Sequence, residues 1–158
     1  MGILSDFVVA DPSEAKVVAG AGDRRRWPVL QSNGFTVLEV AWLHFLITGE
    51  DADAPASPPK VVQNPFTKRE QVVSALVQYS DFPCLADTGE TWLHQLPNGL
   101  VDELAKATDL PLIADRWASC EELRGAKPEI LAGILMDLQR LARLARSSKK
   151  ALLLWTSL

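Results

Sequence analysis

The run PEILAGILMDLQRLARLARSSKKALLLWTSL, residues 128–158, decides the fold class. Ile130, Ile134, Leu138, Leu141 and Ala145 recur at helical spacing and trace one face, with Leu131, Leu135 and Ala142 flanking it. Pro128 suits a first helical position, where an N–H has no partner within the helix anyway, and Glu129 favours the positive end of the helix dipole. The period then changes. Ala151-Leu152-Leu153-Leu154-Trp155-Thr156 is continuously apolar and too short for a second helix, so it reads as a buried strand. A long amphipathic helix leading into such a strand predicts an α+β chain.

The opposite terminus supplies a partner for that strand. Residues 3–10, ILSDFVVA, carry β-branched and aromatic side chains, with Ile3, Phe7 and Val9 on one face. Asp11-Pro12-Ser13-Glu14 follows: Asp11 is placed to cap the first free amides of a helix, Pro12 fits its first turn, and Glu14 completes a capping box. That helix should end at Gly20-Ala21-Gly22, where glycine tolerates the left-handed turn. Asp23 to Pro28 reads as loop and Asn33-Gly34 as a turn.

Thr36-Val37-Leu38-Glu39 is a second capping box, opening a helix with Leu38, Trp42, Phe45 and Leu46 on one stripe, widened by Val37, Val40 and Ala41. So broad an apolar surface predicts a central position in the core. Residues 49–60, GEDADAPASPPK, hold three prolines and no aliphatic residue larger than alanine, which predicts an exposed loop inside the domain. Thr67-Lys68-Arg69-Glu70 opens a further helix to about Tyr79. Residues 80–97 predict a hairpin from the alternation Trp92-Leu93-His94-Gln95-Leu96 between turn residues. Asn98 and Asp109 are expected to cap two short helices, the second burying Leu112, Ile113 and Trp117. The sum is a helix-rich α+β single domain over residues 1–158, with a small sheet that includes the N- and C-terminal strands.

Composition narrows the function classes. The chain has 158 residues, 47% of them apolar and 23% charged, ordinary values for one globular domain. Cys84 and Cys120 form no C-x-x-C pair, so reduced, partly buried thiols are expected. Met1-Gly2-Ile3-Leu4-Ser5-Asp6 has no basic leader segment, and no apolar run approaches the ~20 residues a membrane span requires, which predicts a cytoplasmic protein. The net charge of −4 is uneven. Residues 61–126 carry 5 basic and 10 acidic side chains, whereas residues 127–158 carry 6 and 2. A local basic patch at the C-terminal end follows, on a molecule that repels polyanions overall.

The search for chemistry finds candidates without constellations. His44 and His94 are the only histidines, and neither has a partner at metal-ligand spacing. His44 and Thr48 share a helix face, so a local hydrogen bond accounts for them. Cys84 with His94 is the nearest cysteine–histidine pair, yet no helix start or neighbouring cation accompanies it. Asp51 with Asp53 lies in the proline-rich loop, and Asp102-Glu103 and Glu121-Glu122 are adjacent pairs; neighbours on a helix diverge, which makes Asp102-Glu103 a poor acid/base pair. No phosphate-binding glycine pattern occurs, and no cofactor or metal is predicted.

Two basic features remain as a candidate interaction surface. Arg24, Arg25 and Arg26 precede Trp27, and Arg140, Arg143 and Arg146 form a stripe leading into Lys149-Lys150. Cations near a helix C-terminus also complement its dipole, so the stripe has a purely structural explanation as well. Trp27, Trp42, Trp92, Trp117 and Trp155 are a generous supply; one exposed beside a basic rim would mark a protein-binding hot spot.

Residues 43–49, Leu-His-Phe-Leu-Ile-Thr-Gly, resemble the L-H-F-x-L-T-G stretch of the YfbM-like family of uncharacterised bacterial proteins. The Met1-Gly2 opening into a strand and the long helix before a terminal apolar strand are similar too. This chain departs in having Ile47 where leucine is usual and Trp42 immediately before the motif. The resemblance implies a bacterial cytosolic α+β protein and implies no activity or functional residues.

Missing chemistry, surplus tryptophan and the charge split together point to a non-enzymatic protein-interaction or regulatory protein, an immunity or accessory protein being one form. A protein partner is expected, and a homo-oligomer is compatible with the sequence. The alternatives are a small enzyme whose cleft uses His44, His94 or Cys84, and a weak nucleic-acid binder acting through the basic C-terminal stripe.

Overall fold

The terminal strands pair with each other at the centre of the sheet. In the computed structural model, which describes residues 2–48 and 82–158, strand β1 (Leu4–Ala10) runs antiparallel to β5 (Ala151–Ser157), with Phe7 opposite Leu154 and Val9 opposite Leu152. Strand β2 (Val29–Asn33) pairs with the far side of β1, and the hairpin β3 (Cys84–Asp87) and β4 (Thr91–Gln95) joins through β4. The sheet is five-stranded and antiparallel, in the order β2-β1-β5-β4-β3. The loop at 49–60, the helix from Thr67, and Asp51 and Asp53 lie outside the described residues.

Both faces of this sheet are covered, which explains the apolar stretches Phe7 to Ala10 in β1 and Ala151 to Trp155 in β5. Phe7, Val9, Leu152 and Leu154 face helices α2 (Val37–Thr48), α3 (Asn98–Lys106), α4 (Leu110–Ala118) and α5 (Pro128–Ser148). Val8, Ala10, Leu93, Leu153 and Trp155 face α1 (Ala15–Gly20) and Trp27. Burial of each large apolar side chain stabilises the fold by about 1.5–3 kcal/mol, and residues facing both layers keep the strands in register.

Local signals hold where side chains meet backbone directly. Asp11 caps a single 3-10 turn, Pro12–Glu14, in a complete capping box, and α1 follows it. Glu39 accepts from the Thr36 amide at 2.7 Å and from the Thr36 hydroxyl, closing the second box. Asp109 accepts from Leu112 at 3.1 Å, and the hairpin turns at Gly89, whose φ of +84° suits glycine.

Other expectations are corrected. Gly20 stays in the helix and Ala21 leaves it in extended conformation, so no left-handed glycine ends α1. Pro97, not Asn98, occupies the cap of α3, and it offers no side-chain acceptor; Asn98 is already helical. Leu112 is 48% exposed, because Leu110, Ala114 and Trp117 fill the buried side of α4. Val29–Asn33, which follows the expected loop and includes the first residue of the expected turn, is an edge strand, recruited by pairing with β1.

The two helices with broad apolar surfaces bury most of the expected residues, and the centre of the buried face lies beside the expected line. In α2, Trp42 of the expected stripe and the neighbouring Val40 and Ala41 are buried, Leu43 joins them, and Leu38 and Leu46 are half-buried. In α5, Leu138, Leu141 and Ala145 of the expected face are buried together with the flanking Leu131, Leu135 and Ala142, while Ile134 is half-buried and Ile130 is 60% exposed. Both helices carry apolar residues on more than one line, so spacing alone does not choose between them. Contact with the sheet and with α3 and α4 does. Lys149 ends α5 in the left-handed region at φ 56°, and the chain returns immediately as β5. No helix among the described residues is long and apolar enough to cross a membrane.

Candidate functional site

The first basic cluster folds inward. Residues 24–27 make a turn closed by the Trp27 amide donating to the Arg24 carbonyl at 3.0 Å. Arg24 points back across the sheet: its Nε donates to Asp6 Oδ2 at 2.6 Å, a second nitrogen donates to the Ala21 carbonyl, and its guanidinium carbon stands 3.4 Å from the Trp155 ring centre. Trp155 Nε1 in turn donates to the Ala19 carbonyl at 3.3 Å. Arg24 and Trp27 are both 7% exposed. They are therefore withdrawn from the candidate surface: their charge and aromatic area hold the 21–28 loop onto the sheet.

Arg25 and Arg26 stay outside. The Arg25 side chain and backbone N–H donate to Asp23, which holds that exposed carboxyl below the usual 3.8. Arg26 stacks against Trp27 with its guanidinium carbon 3.9 Å from the ring centre. Lys16, Val17, Gly20, Ala21, Asp23 and Arg26 line a shallow, open depression beside α1.

The arginine stripe lies on the other side of the sheet, on α5, so the two basic features do not form one patch. The stripe also does structural duty. Arg143 Nε donates to the Ala105 carbonyl at 3.0 Å, and Arg146 pairs with Asp102 at 3.0 Å. Gln139 donates to the Leu104 and Ala107 carbonyls at 2.9 and 2.7 Å. Three side chains of α5 thus serve α3 and its end: Arg143 and Gln139 supply donors to carbonyls of its last turn and cap, and Arg146 neutralises Asp102. Arg140 faces solvent, 69% exposed, beside Asp137 at 3.6 Å.

The outward side of α5 carries what periodicity missed. Ile130, Met136 and Leu144 are 60, 63 and 39% exposed there. The sequence contains the signal, since Met136 and Leu144 fit neither the expected stripe nor its flanks, but an apolar residue off the stripe becomes informative only when its exposure is known. The tryptophans behave oppositely. Trp27, Trp42, Trp117 and Trp155 are buried and Trp92 is half-buried, so none is the exposed ring that would mark a hot spot.

The three candidate reactive residues lie nearer each other than their numbering suggests. Cys84 and His94 are cross-strand partners in the β3–β4 hairpin, and the His44 ring is 6.2 Å from that of Phe82, two residues before Cys84. Cys84 is exposed, and its thiol donates to the Ala86 carbonyl at 3.3 Å. His94 is half-buried, its Nδ1 shielded from solvent without a hydrogen-bond partner. Burial pushes its imidazole below the ordinary 6.5, against a smaller upward pull from Asp87. Thr48 donates to the His44 backbone carbonyl at 2.8 Å, so the local hydrogen bond is made to the main chain. Asp102 and Glu103 diverge as adjacent helical residues must, toward Arg146 and Lys106 respectively. Among the described residues, no three His, Cys, Asp or Glu side chains gather around a space that fits a metal ion.

No family model matches this chain, and no curated protein matches it. Among solved structures it is similar to a protein of unknown function, YfbM from Escherichia coli, with 16% identity over 98% of this chain and 99% of that one and a TM-score of 0.41.

Proposed function

We propose that this chain is a non-enzymatic interaction or regulatory protein that binds another protein through the outward face of α5. One observation carries the reading: Ile130, Met136 and Leu144 stand in solvent on a single helix, with the exposed guanidinium of Arg140 among them. Isolated exposed apolar residues are ordinary on protein surfaces. Three large ones on one helix, interleaved with a cation, give the apolar-plus-arginine composition of interface centres. The basic balance of residues 127–158 adds a preference for an acidic rim on the partner. The bacterial and cytosolic setting belongs to the same proposal and rests on the resemblance at residues 43–49.

The test replaces Met136 with a photo-cross-linking amino acid in the full chain and irradiates living cells. The expected result is one discrete adduct, lost when Leu144→Glu or Arg140→Glu is added. No discrete adduct, or one unchanged by both substitutions, overturns the reading.

A second reading, a small thiol-based enzyme, is favoured by the placement of Cys84 directly opposite His94. Its requirement is that the imidazole take the thiol proton, whereas here the thiol donates to Ala86 and burial weakens His94 as a base. Iodoacetamide alkylation of Cys84 at pH 7 that is no slower in His94→Ala removes this reading.

A further inference from the structure

The two covers of the sheet are built very differently. On one side Phe7, Val9, Leu152 and Leu154 lie under the four helices α2 to α5. On the other, among the described residues, Val8, Ala10, Leu93, Ala151, Leu153 and Trp155 lie under residues 11–28, which add Ala15, Val18, Ala19 and Trp27 to that buried cluster. Only Trp27 of those four is large. A segment with so few large buried side chains belongs to the least stable part of a fold.

Topology lets this cover move alone. Residues 11–28 connect β1 to β2, which are antiparallel neighbours. Their ladder runs from Leu4 opposite Asn33 to Val8 opposite Val29 and is complete before the connection begins, with Val9 donating to the Pro28 carbonyl at 2.9 Å as the last rung. Lifting the connection therefore breaks no strand pair. It also leaves α2 to α5 in place, since they pack on the opposite face.

Side chains of the sheet hold the connection down at two points. Asp6 accepts from Arg24 Nε at 2.6 Å, and Trp155 Nε1 donates to the Ala19 carbonyl at 3.3 Å. Asp6 and Arg24 are each under a tenth exposed. Closing strips water from both ions and opening returns it, which offsets much of the attraction lost. Apolar side chains regain nothing comparable on leaving a core. An ion pair thus fixes the closed geometry while letting the segment lift.

We infer that residues 11–28 form a strap that lifts as a unit from an otherwise intact molecule, with Asp6 and Arg24 as its latch. Lifting bares the Trp155 ring together with Val8, Ala10 and Leu153 of the sheet. The device lies across the sheet from α5 and is independent of the interaction face proposed there.

Two indoles read it. Trp155 Nε1 donates to a carbonyl of the strap, and Trp117 Nε1 donates to the Glu39 carbonyl at 2.9 Å in the helical layer, so chemically identical N–H groups sit beneath the two covers. Their hydrogen exchange is followed by NMR on the full chain, without urea and at sub-denaturing concentrations. Trp155 is expected to exchange at least about tenfold faster than Trp117, with a urea slope shallower than that of global unfolding because less surface is exposed. Asp6→Asn strands the Arg24 charge beneath the strap and quickens Trp155 at least about tenfold further. Where Asp6→Asn does not fold, Arg24→Lys takes its place, keeping the charge but losing the planar fork, with the same direction expected. Gln139→Leu, on the far side of the sheet, quickens Trp117 and leaves Trp155 within about twofold of wild type, because the helical layer is the same before and after the strap lifts. Trp155 exchanging no faster than Trp117, following the global urea slope, or quickening in step with Trp117 in Gln139→Leu overturns the strap. A Trp155 rate indifferent to urea and to loss of the latch overturns it as well, since exchange then needs no opening.

Discussion

Arg24 and Trp155 come from the two ends of the chain, and the guanidinium carbon of one stands 3.4 Å from the ring centre of the other. The cation also donates to Asp6 at 2.6 Å, with both side chains under a tenth exposed. Removing either partner strands a charge in a site shielded from water. Arg24→Met alone is expected to destabilise the chain by about 3–5 kcal/mol in urea titration, and Asp6→Leu with Arg24→Met to recover much of that loss. Equal midpoints for wild type and Arg24→Met would refute the pinning role.

Gln139 bonds two carbonyls at the end of α3, and Gln139→Leu keeps the bulk while removing both donors. A loss of about 1–3 kcal/mol is expected by chemical denaturation, because the Leu104 and Ala107 carbonyls are left without that donor. Hydrogen exchange should quicken at the C-terminal turn of α3 before any other helix. Unchanged exchange there would show that water substitutes freely.

His94 makes stability depend on pH in a defined direction. Burial holds its folded value below 6.5, so the unfolded chain takes up a proton first as pH falls. The contribution is fully present above 6.5 and is lost as pH falls from there through the depressed folded value. Urea midpoints at pH 7.5 and pH 5 should therefore differ less in His94→Gln than in wild type. A variant with the wild-type pH slope would rule out His94 as the source.

The two thiols separate by accessibility. Cys120 is 3% exposed, and burial, followed by the charge of Glu122, pushes it up to about 11, whereas Cys84 is exposed. Mass spectrometry after brief iodoacetamide treatment at pH 8 should find Cys84 modified and Cys120 intact until denaturant is added. The raised value also means that Cys120 contributes stability below its ordinary 9.0 that is lost as pH rises through about 11, a slope that Cys120→Ala should reduce.

Features encoded within a few residues were legible in the chain. Asp11 with Glu14, Thr36 with Glu39, and Asp109 with Leu112 form the caps that their spacing predicts, because each donor lies two or three residues from its acceptor. The terminal strands were legible because Phe7 to Ala10 and Ala151 to Trp155 are apolar runs too short for a helix, with few other ways to be buried. The candidate surface was legible only in part. Arg24 and Trp27 read as an exposed cation–aromatic pair, yet an aspartate eighteen positions earlier and a ring near the other terminus draw them inside. Ile130 read as core and faces solvent.

Local hydrogen bonding and hydrophobic period, both short-range, thus determined the α+β class, the capped starts at Asp11, Thr36 and Asp109, and the two terminal strands. Tertiary structure alone decided which line of each broad apolar helix turned inward, which cations were consumed in the interior, and that Cys84 faces His94. Those outcomes depend on what a side chain meets from another segment, and neither the sign of a charge nor its spacing along the chain encodes that meeting.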